Sequence, residues 1–447
     1  MRILLGLLVS LVLHHTIPVH AEPRADSLRP GDEAAVADWV EAHLAELATL
    51  YRHLHANPEL SLEEKETAAR VALELEAAGY DVATAVGGHG VVGVLENGAG
   101  PTVLLRGDMD ALPVTEATGL PYASAVRVAR PDGGETGVMH ACGHDVHTAN
   151  LIGTAQLLAE LRARWRGTVV VVAQPAEELG LGARGMLGDG LLERFPRPDY
   201  ALALHVSNEL AAGDVGTTEG WAAANVDSVD ITVFGRGGHG ARPHQASDPI
   251  VTSAHLVTAL QTLVSRRVDP VAPAVVTVGS IHGGTKHNVI PDSVHLQLTV
   301  RSYSDEVRSQ LLDGIRQQAN DVCRAFQCPL APEIRVKETY TPAVYNDPVL
   351  AGDATRLFAS LLGAERVAVV PAGMGGEDFG MLPRAAGVPG LLYRLGSVDP
   401  ARVAEAAAGG EPLPSLHSSR FAPLPEPTLR TGVRTLAHLT LSLLAAP

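Results

Sequence analysis

The stretches "TVLLRGDMDAL" from Thr102, "GTVVVVAQPAEEL" from Gly167 and "DYALALHV" from Asp199 share one form. Each carries an apolar run and closes on or runs into acids or an imidazole, namely Asp108 and Asp110, Glu177 and Glu178, and His205. A strand without polar alternation is covered on both faces, as in a mostly parallel sheet flanked by helices. In such α/β folds the site lies beyond the carboxyl ends of the strands. The residues able to do chemistry thus fall where the fold places a site.

The remaining segments supply the helices and a second texture. "DEAAVADWVEAHLAELATLYRHLHANPEL" from Asp32 has helical periodicity and stops at Asn57-Pro58, and a second helix is expected at about 63–79. From about Trp221, "SVDITVFGRGGHG" and "SVHLQLTVRS" alternate apolar and polar, as half-exposed antiparallel strands do. Helices expected at about 247–266 and 304–326, with the strand "PEIRVKE", complete a strand-helix-strand-strand-helix-strand unit, a small separate α+β sandwich. After about Tyr340 the first texture returns in "RVAVV" and "GLLYRLG", with a closing helix near 426–445. The Ala/Gly/Pro stretch at 405–414 reads as a loop. A chain of 447 residues exceeds one ordinary core. The expectation is a catalytic domain of residues 22–218 and 339–447, interrupted by an inserted domain of residues 219–338.

Composition removes some function classes. The net charge of −16 argues against nucleic acid as a partner, since phosphate binding needs clustered Lys and Arg. Arg2, the apolar "ILLGLLVSLVL" and the small residue ending "VHA" read as a secretory signal over residues 1–21, cleaved after Ala21. That run is short for a stable membrane anchor. The expectation is an exported protein, periplasmic or secreted, with no membrane contact once the signal is removed. Export bears on the 3 cysteines. Cys323 and Cys328 either bridge locally or stay unpaired, because geometry and not spacing decides. Cys142 is then the odd one, and metal ligation is a reason for it.

Cys142 lies in "MHACGHDVH", residues 139–147. Cys142, His144, Glu178, His205 and His417 form a candidate ligand set of the kind that suits zinc and its neighbours. Five ligands are more than one tetrahedral ion needs, and a thiolate can bridge two metals about 3.5–4 Å apart. A metal lowers the pKa of a bound water to about 7, and a nearby carboxylate can take its proton. Glu178 is read as a ligand and Glu177 as that base. The competing reading of the pair is a solvated acidic helix start. His53, His55, His89, His244, His282 and His295 stand apart from other donors and are read as structural or surface residues.

At this point seven blocks in order carry a resemblance. "RGDMDALPV", "HACGHDVHTANLIG", "QPAEELGLGARGML", "LHV", "GGHGARPH", "HNVIPD" and "GGEDFG" are similar to the metal-dependent amidohydrolases of the aminoacylase and hippurate hydrolase type. That group includes plant auxin-conjugate hydrolases and bacterial N-acyl-amino-acid deacylases. The resemblance implies a two-zinc exopeptidase-like catalytic domain and an inserted ferredoxin-like lid through which a homodimer forms. It implies two divalent transition-metal ions, zinc, manganese, cobalt or nickel, held by Cys142 (bridging), His144, Glu178, His205 and His417. It implies Glu177 as general base and Asp110 as the acid that orients a ligand. It implies His239 as a lid histidine stabilising the oxyanion, and Asn288, with Arg301, near the substrate carboxylate. The wider clan has "GHxD" where this chain has "RGDMD", which leaves Asp108 as structural or supporting. The activity implied is hydrolysis of N-acyl amino acids. A dipeptidase or carboxypeptidase acting on short peptides, and a non-catalytic binding protein of the same fold, are the alternatives.

Overall fold

The computed structural model describes residues 32–130 and 133–446. The expected signal at 1–21 lies outside the described residues.

The long helix Asp32–Ala56 buries Val36, Val40, Leu44, Leu47, Tyr51 and Leu54. Steps of three and four along the chain put these side chains on one stripe. The stripe packs on the helices His144–Glu160 and Pro425–Leu443. These three cover one face of an eight-stranded sheet. Its order is Asp81–Val86, Gly90–Glu96, Thr168–Gln174, Thr102–Asp108, Tyr200–Ala211, Gly390–Val398, Val215–Thr217 and Val367–Val369. The four central strands, from Thr168–Gln174 to Gly390–Val398, run parallel. The antiparallel pairs lie to either side. The opposite face has its own core around Val92, Leu104, Val170, Val172, Ala201, Phe379 and Leu392. This double coverage is why the central strands have no polar alternation. The chain is thus an α/β protein with a mostly parallel centre.

A separate four-stranded antiparallel sheet has the order Ala274–His282, Ser293–Ser302, Asn225–Phe234 and Glu333–Val336. One of its faces carries Val229, Ile231, Val233, Leu296 and Leu298. They pack on Leu256, Leu260 and Leu263 of the helix Pro249–Arg266 and on Leu311, Leu312 and Ile315 of the helix Asp305–Ala325. Each such buried side chain contributes about 1.5–3 kcal/mol.

Two details differ from the sequence reading. The strand holding His205 does not end there. It runs to Ala211, because Gly390–Val398 keeps pairing with it. The stretch read as a loop from 405 begins inside a helix, Pro400–Ala407, started by Pro400 and by the Asp399 carboxylate accepting from the Ala401 N–H at 2.8 Å. The Cys323 and Cys328 thiols are free. No helix among the described residues is long and apolar enough to cross a membrane.

Candidate metal centre

Strand register assembles the first row of the site. Asp108 pairs with Gln174. Val103 pairs with Tyr200 and Arg106 with Ala203, so the same register carries Asp108 level with His205. The turns leaving these carboxyl ends present Asp110 on one side and Glu177 and Glu178 on the other.

Cys142 and His144 flank Gly143, which caps the helix His144–Glu160 with φ 81°. A Cβ on Gly143 would lie 2.5 Å from Val206 Cγ2, so only glycine lets this helix start press on the strand of His205. Cys142 Sγ then sits 3.6 Å from His205 Nε2. His144 Nε2 sits 3.9 Å from oxygens of both Glu177 and Glu178. His417 enters from a distant loop, anchored by its N–H donating to the Ala141 carbonyl at 2.8 Å. Its Nε2 is 3.4 Å from Glu178 Oε1. His417 has φ 65°, a strained backbone for a residue with a Cβ, of the kind that clusters at functional sites.

The site is arranged for a cation. His144 Nδ1 donates to the Asp110 carbonyl at 2.8 Å and faces Asp110 Oδ1 at 3.2 Å. His205 Nδ1 donates to the Val206 carbonyl at 2.8 Å. Each leaves an Nε2 lone pair facing the other donors. His144 Nε2 and Glu178 Oε1 are buried without a hydrogen-bond partner. Buried polar atoms are rarely left so, and a bound cation would satisfy both. Cys142, His144 and His205 form one set of converging donor atoms, and Cys142, Glu178 and His417 another. A soft thiolate, imidazoles and a carboxylate suit a transition metal.

Burial and neighbouring charges shift each donor in its own direction. Burial pushes the Cys142 thiol well up, so it keeps its proton until a cation arrives. Burial and the neighbours His147 and Arg394 push His205 well down, toward the neutral ligand form. Burial, reinforced by the charges of Glu377 and Asp378, raises Glu177 well above the carboxylate range. For His144 burial opposes the charge, but Asp108 and Asp110 outweigh it and raise the imidazole.

Asp108 belongs to a buried lattice behind these donors. Its oxygens meet Arg106 at 2.7 Å and His147 at 2.5 Å. His147 Nε2 accepts from the Val206 N–H at 2.8 Å, so the third histidine of the nine-residue motif fixes the strand of His205. Arg106 also meets Glu377 at 2.9 Å and Asp378 at 3.0 Å. Sequence reasoning gave Glu377 and Asp378 no role. The signal was a lone arginine inside an apolar strand, which needs buried counter-charges.

Arg301 joins Cys142, Glu177, Glu178, His205 and His417 around one cleft of about 360 Å³. His239 and Asn288 do not line it. His239 is exposed in a two-residue strand paired with Val289–Ile290, and its Nδ1 accepts from the Ala241 N–H at 3.0 Å. Asn288 is exposed beside that ribbon.

Residues 104–440 match the peptidase family M20/M25/M40. The N-acetyl-L-cysteine deacetylase of Bacillus subtilis is 40% identical over 309 residues, 69% of this chain and 70% of its own. The IAA-amino acid hydrolase ILR1-like 4 of Arabidopsis thaliana is 37% identical over 371 residues, 83% of this chain and 79% of its own. The thermostable carboxypeptidase 2 of Saccharolobus solfataricus is 34% identical over 416 residues, 92% of this chain and 96% of its own. Among solved structures, the YXEP protein of Bacillus subtilis, described as a dinuclear metal binding peptidase, superposes with TM-score 0.72 at 29% identity, covering 90% of this chain and 99% of that one. The donors at the carboxyl edge of the sheet and these likenesses agree, and the chain belongs to peptidase family M20/M25/M40, a hydrolase of amide bonds.

Proposed function

We propose that the protein hydrolyses the amide bond of N-acyl amino acids. The observation that carries this is the convergence of Cys142, His144, Glu178, His205 and His417 from distant segments, with His144 Nε2 and Glu178 Oε1 buried and unpartnered. These five residues would hold a pair of divalent transition-metal ions, zinc, manganese, cobalt or nickel. Such ions, when bound, polarise an acyl oxygen and make a water acidic. The chain's own residues do the rest. Asp110 orients His144 from behind, and its Oδ2 accepts from the Glu178 N–H at 3.0 Å, so one carboxylate sets two ligands. Glu177 takes a proton from the attacking water as its oxygen bonds the acyl carbon. The carbon–nitrogen bond then breaks, and Glu177 returns that proton to the leaving amine. Arg301 receives the α-carboxylate.

The deacetylase and auxin-conjugate hydrolase relatives support an acyl group on an amino acid. Pairing of two copies through residues 219–338 would place His239 and Asn288 beside a cleft, and residues 1–21 would direct export; both belong to the proposal. A carboxypeptidase reading shares the chemistry and is favoured by two relatives named as carboxypeptidases. Rates on hippurate, N-acetyl amino acids and dipeptides, with protein loaded in turn with each metal, separate the two. Turnover of dipeptides alone would end the N-acyl reading.

A further inference from the structure

The inserted sheet turns two cations toward the cleft. Val229, Ile231 and Val233 are buried against its helices, so alternation puts Val226 and Ser228 on the other face. Val226 sits opposite Arg301 and Ser228 opposite Thr299. On the other flank Val229 sits opposite Val336, and the Lys337 N–H donates to the Ser228 carbonyl at 2.9 Å. Lys337 therefore continues the row of Ser228. Val226, Ser228, Arg301 and Lys337 all line the cleft that also presents Cys142, Glu178, His205 and His417. Arg301 lies on one strand flanking Ser228 and Lys337 directly follows the other, about 10 Å apart sideways by strand spacing.

Among the described residues neither cation has a carboxylate partner. Three acids close to them in register are engaged elsewhere. Asp227 takes Arg308 at 2.7 Å, Asp230 takes His295 at 3.3 Å, and Glu333 takes Arg335 at 2.5 Å. Arg301 has only Thr299, to which its Nε donates at 3.1 Å. Glu177, Glu178 and Glu377 line the opposite part of the same cleft, so the wall carrying Arg301 and Lys337 is where an anionic group is favoured. Arg301 answers the α-carboxylate, which leaves Lys337 facing a second anionic group.

We propose that the cleft selects N-acyl amino acids carrying a second carboxylate, and that Lys337 is the residue that selects them. This rests on the N-acyl amino acid reading above. The second carboxylate comes from the amino-acid side chain or from the acyl group. A volume of about 360 Å³ is at the small end of ligand pockets, about 300–1,000 Å³, and suits a ligand of amino-acid size. The compact ammonium of lysine meets a carboxylate without fixed orientation, so either source fits.

The test is kcat/KM of the metal-loaded full chain on N-acetylglutamate against N-acetylglutamine, and on N-succinylalanine against N-acetylalanine. One dianion is expected to lead its partner by about tenfold, equivalent to about 1.4 kcal/mol. The leading pair identifies which end carries the carboxylate. The ratio should fall toward unity in Lys337→Gln and invert in Lys337→Glu. Turnover of N-acetylalanine with neither dianion preferred overturns this inference alone, as does a preference untouched by Lys337→Gln. No turnover of any of the four overturns it together with the reading on which it rests.

Discussion

Glu64 reaches across 112 positions of chain to accept the N–H of Ala176 at 2.7 Å. The same oxygen accepts from the Leu62 N–H at 3.0 Å. Ala176 and Leu62 both have positive φ, 50° and 72°, which costs a residue with a Cβ about 1–3 kcal/mol. Ala176 immediately precedes Glu177 and Glu178, so this carboxylate holds the turn that aims both. Glu64→Ala is expected to lower kcat at least tenfold, roughly 1.4 kcal/mol, with little change in KM. Glu64→Gln keeps an acceptor oxygen and should recover most of the rate. Equal kcat in both variants would remove Glu64 from the positioning of the turn.

Glu177 is the group proposed to move the proton. Glu177→Gln keeps size and shape and should retain metal and fold. General acid–base catalysis contributes about 10²–10⁴-fold, so kcat should drop by that order. Turnover within a few-fold of wild type, at unchanged metal content, excludes Glu177 as the base.

Cys142 is buried with its thiol pushed up. Metal binding near neutral pH should therefore release a proton from it, detectable as a buffer-dependent heat in calorimetry. A metal that binds only the folded chain adds about 4 kcal/mol when present at a thousand times its Kd. Chelator-treated protein should accordingly lose Tm and regain it on adding manganese or zinc. Cys142→Ser should shrink that gain and the metal content by elemental analysis. Unchanged stoichiometry and the same gain in Tm would count against ligation by Cys142.

His55 lies fully buried between Asp145 at 2.7 Å and Glu116 at 3.1 Å. Burial opposes its charge, but its hydrogen bonds to both carboxylates raise its pKa to about 10. A raised imidazole adds stability that is complete below the unfolded value of about 6.5 and is lost as pH climbs toward 10. Asp145 and Glu116 are lowered by this contact against their burial, so their share is lost instead in acid. His55→Leu strands two buried carboxylates and should cost about 3–5 kcal/mol. The Tm gap between wild type and His55→Leu should be wide near pH 6 and narrow near pH 10. A gap independent of pH would mean that the imidazole is not charged in the fold.

Much of the architecture was legible in the chain because it follows from local periodicity. Unbroken apolar runs marked the central strands, and alternation marked the inserted sheet. Cys142, His144, Glu178, His205 and His417 could be picked out as candidate donors because thiol, imidazole and carboxylate are few chemistries. The motif match at "RGDMD" left Asp108 undecided. Its answer depends on Arg106 and His147, and it is a buried counter-charge. Glu64 and the Glu377–Asp378 pair were passed over because nothing near them in sequence shows what they touch.

The sequence by itself determined which side chains offer metal-binding donors and which runs must be buried on two faces. Each is a property of a side chain or of a few neighbours. The tertiary structure alone decided that His417 meets Glu178 from a far loop, that His147 braces the strand of His205, and that Lys337 and Arg301 share one wall of the cleft. Those facts depend on strand register and on the approach of Gly143 to Val206, and such long-range distances leave no periodic trace in the order of residues.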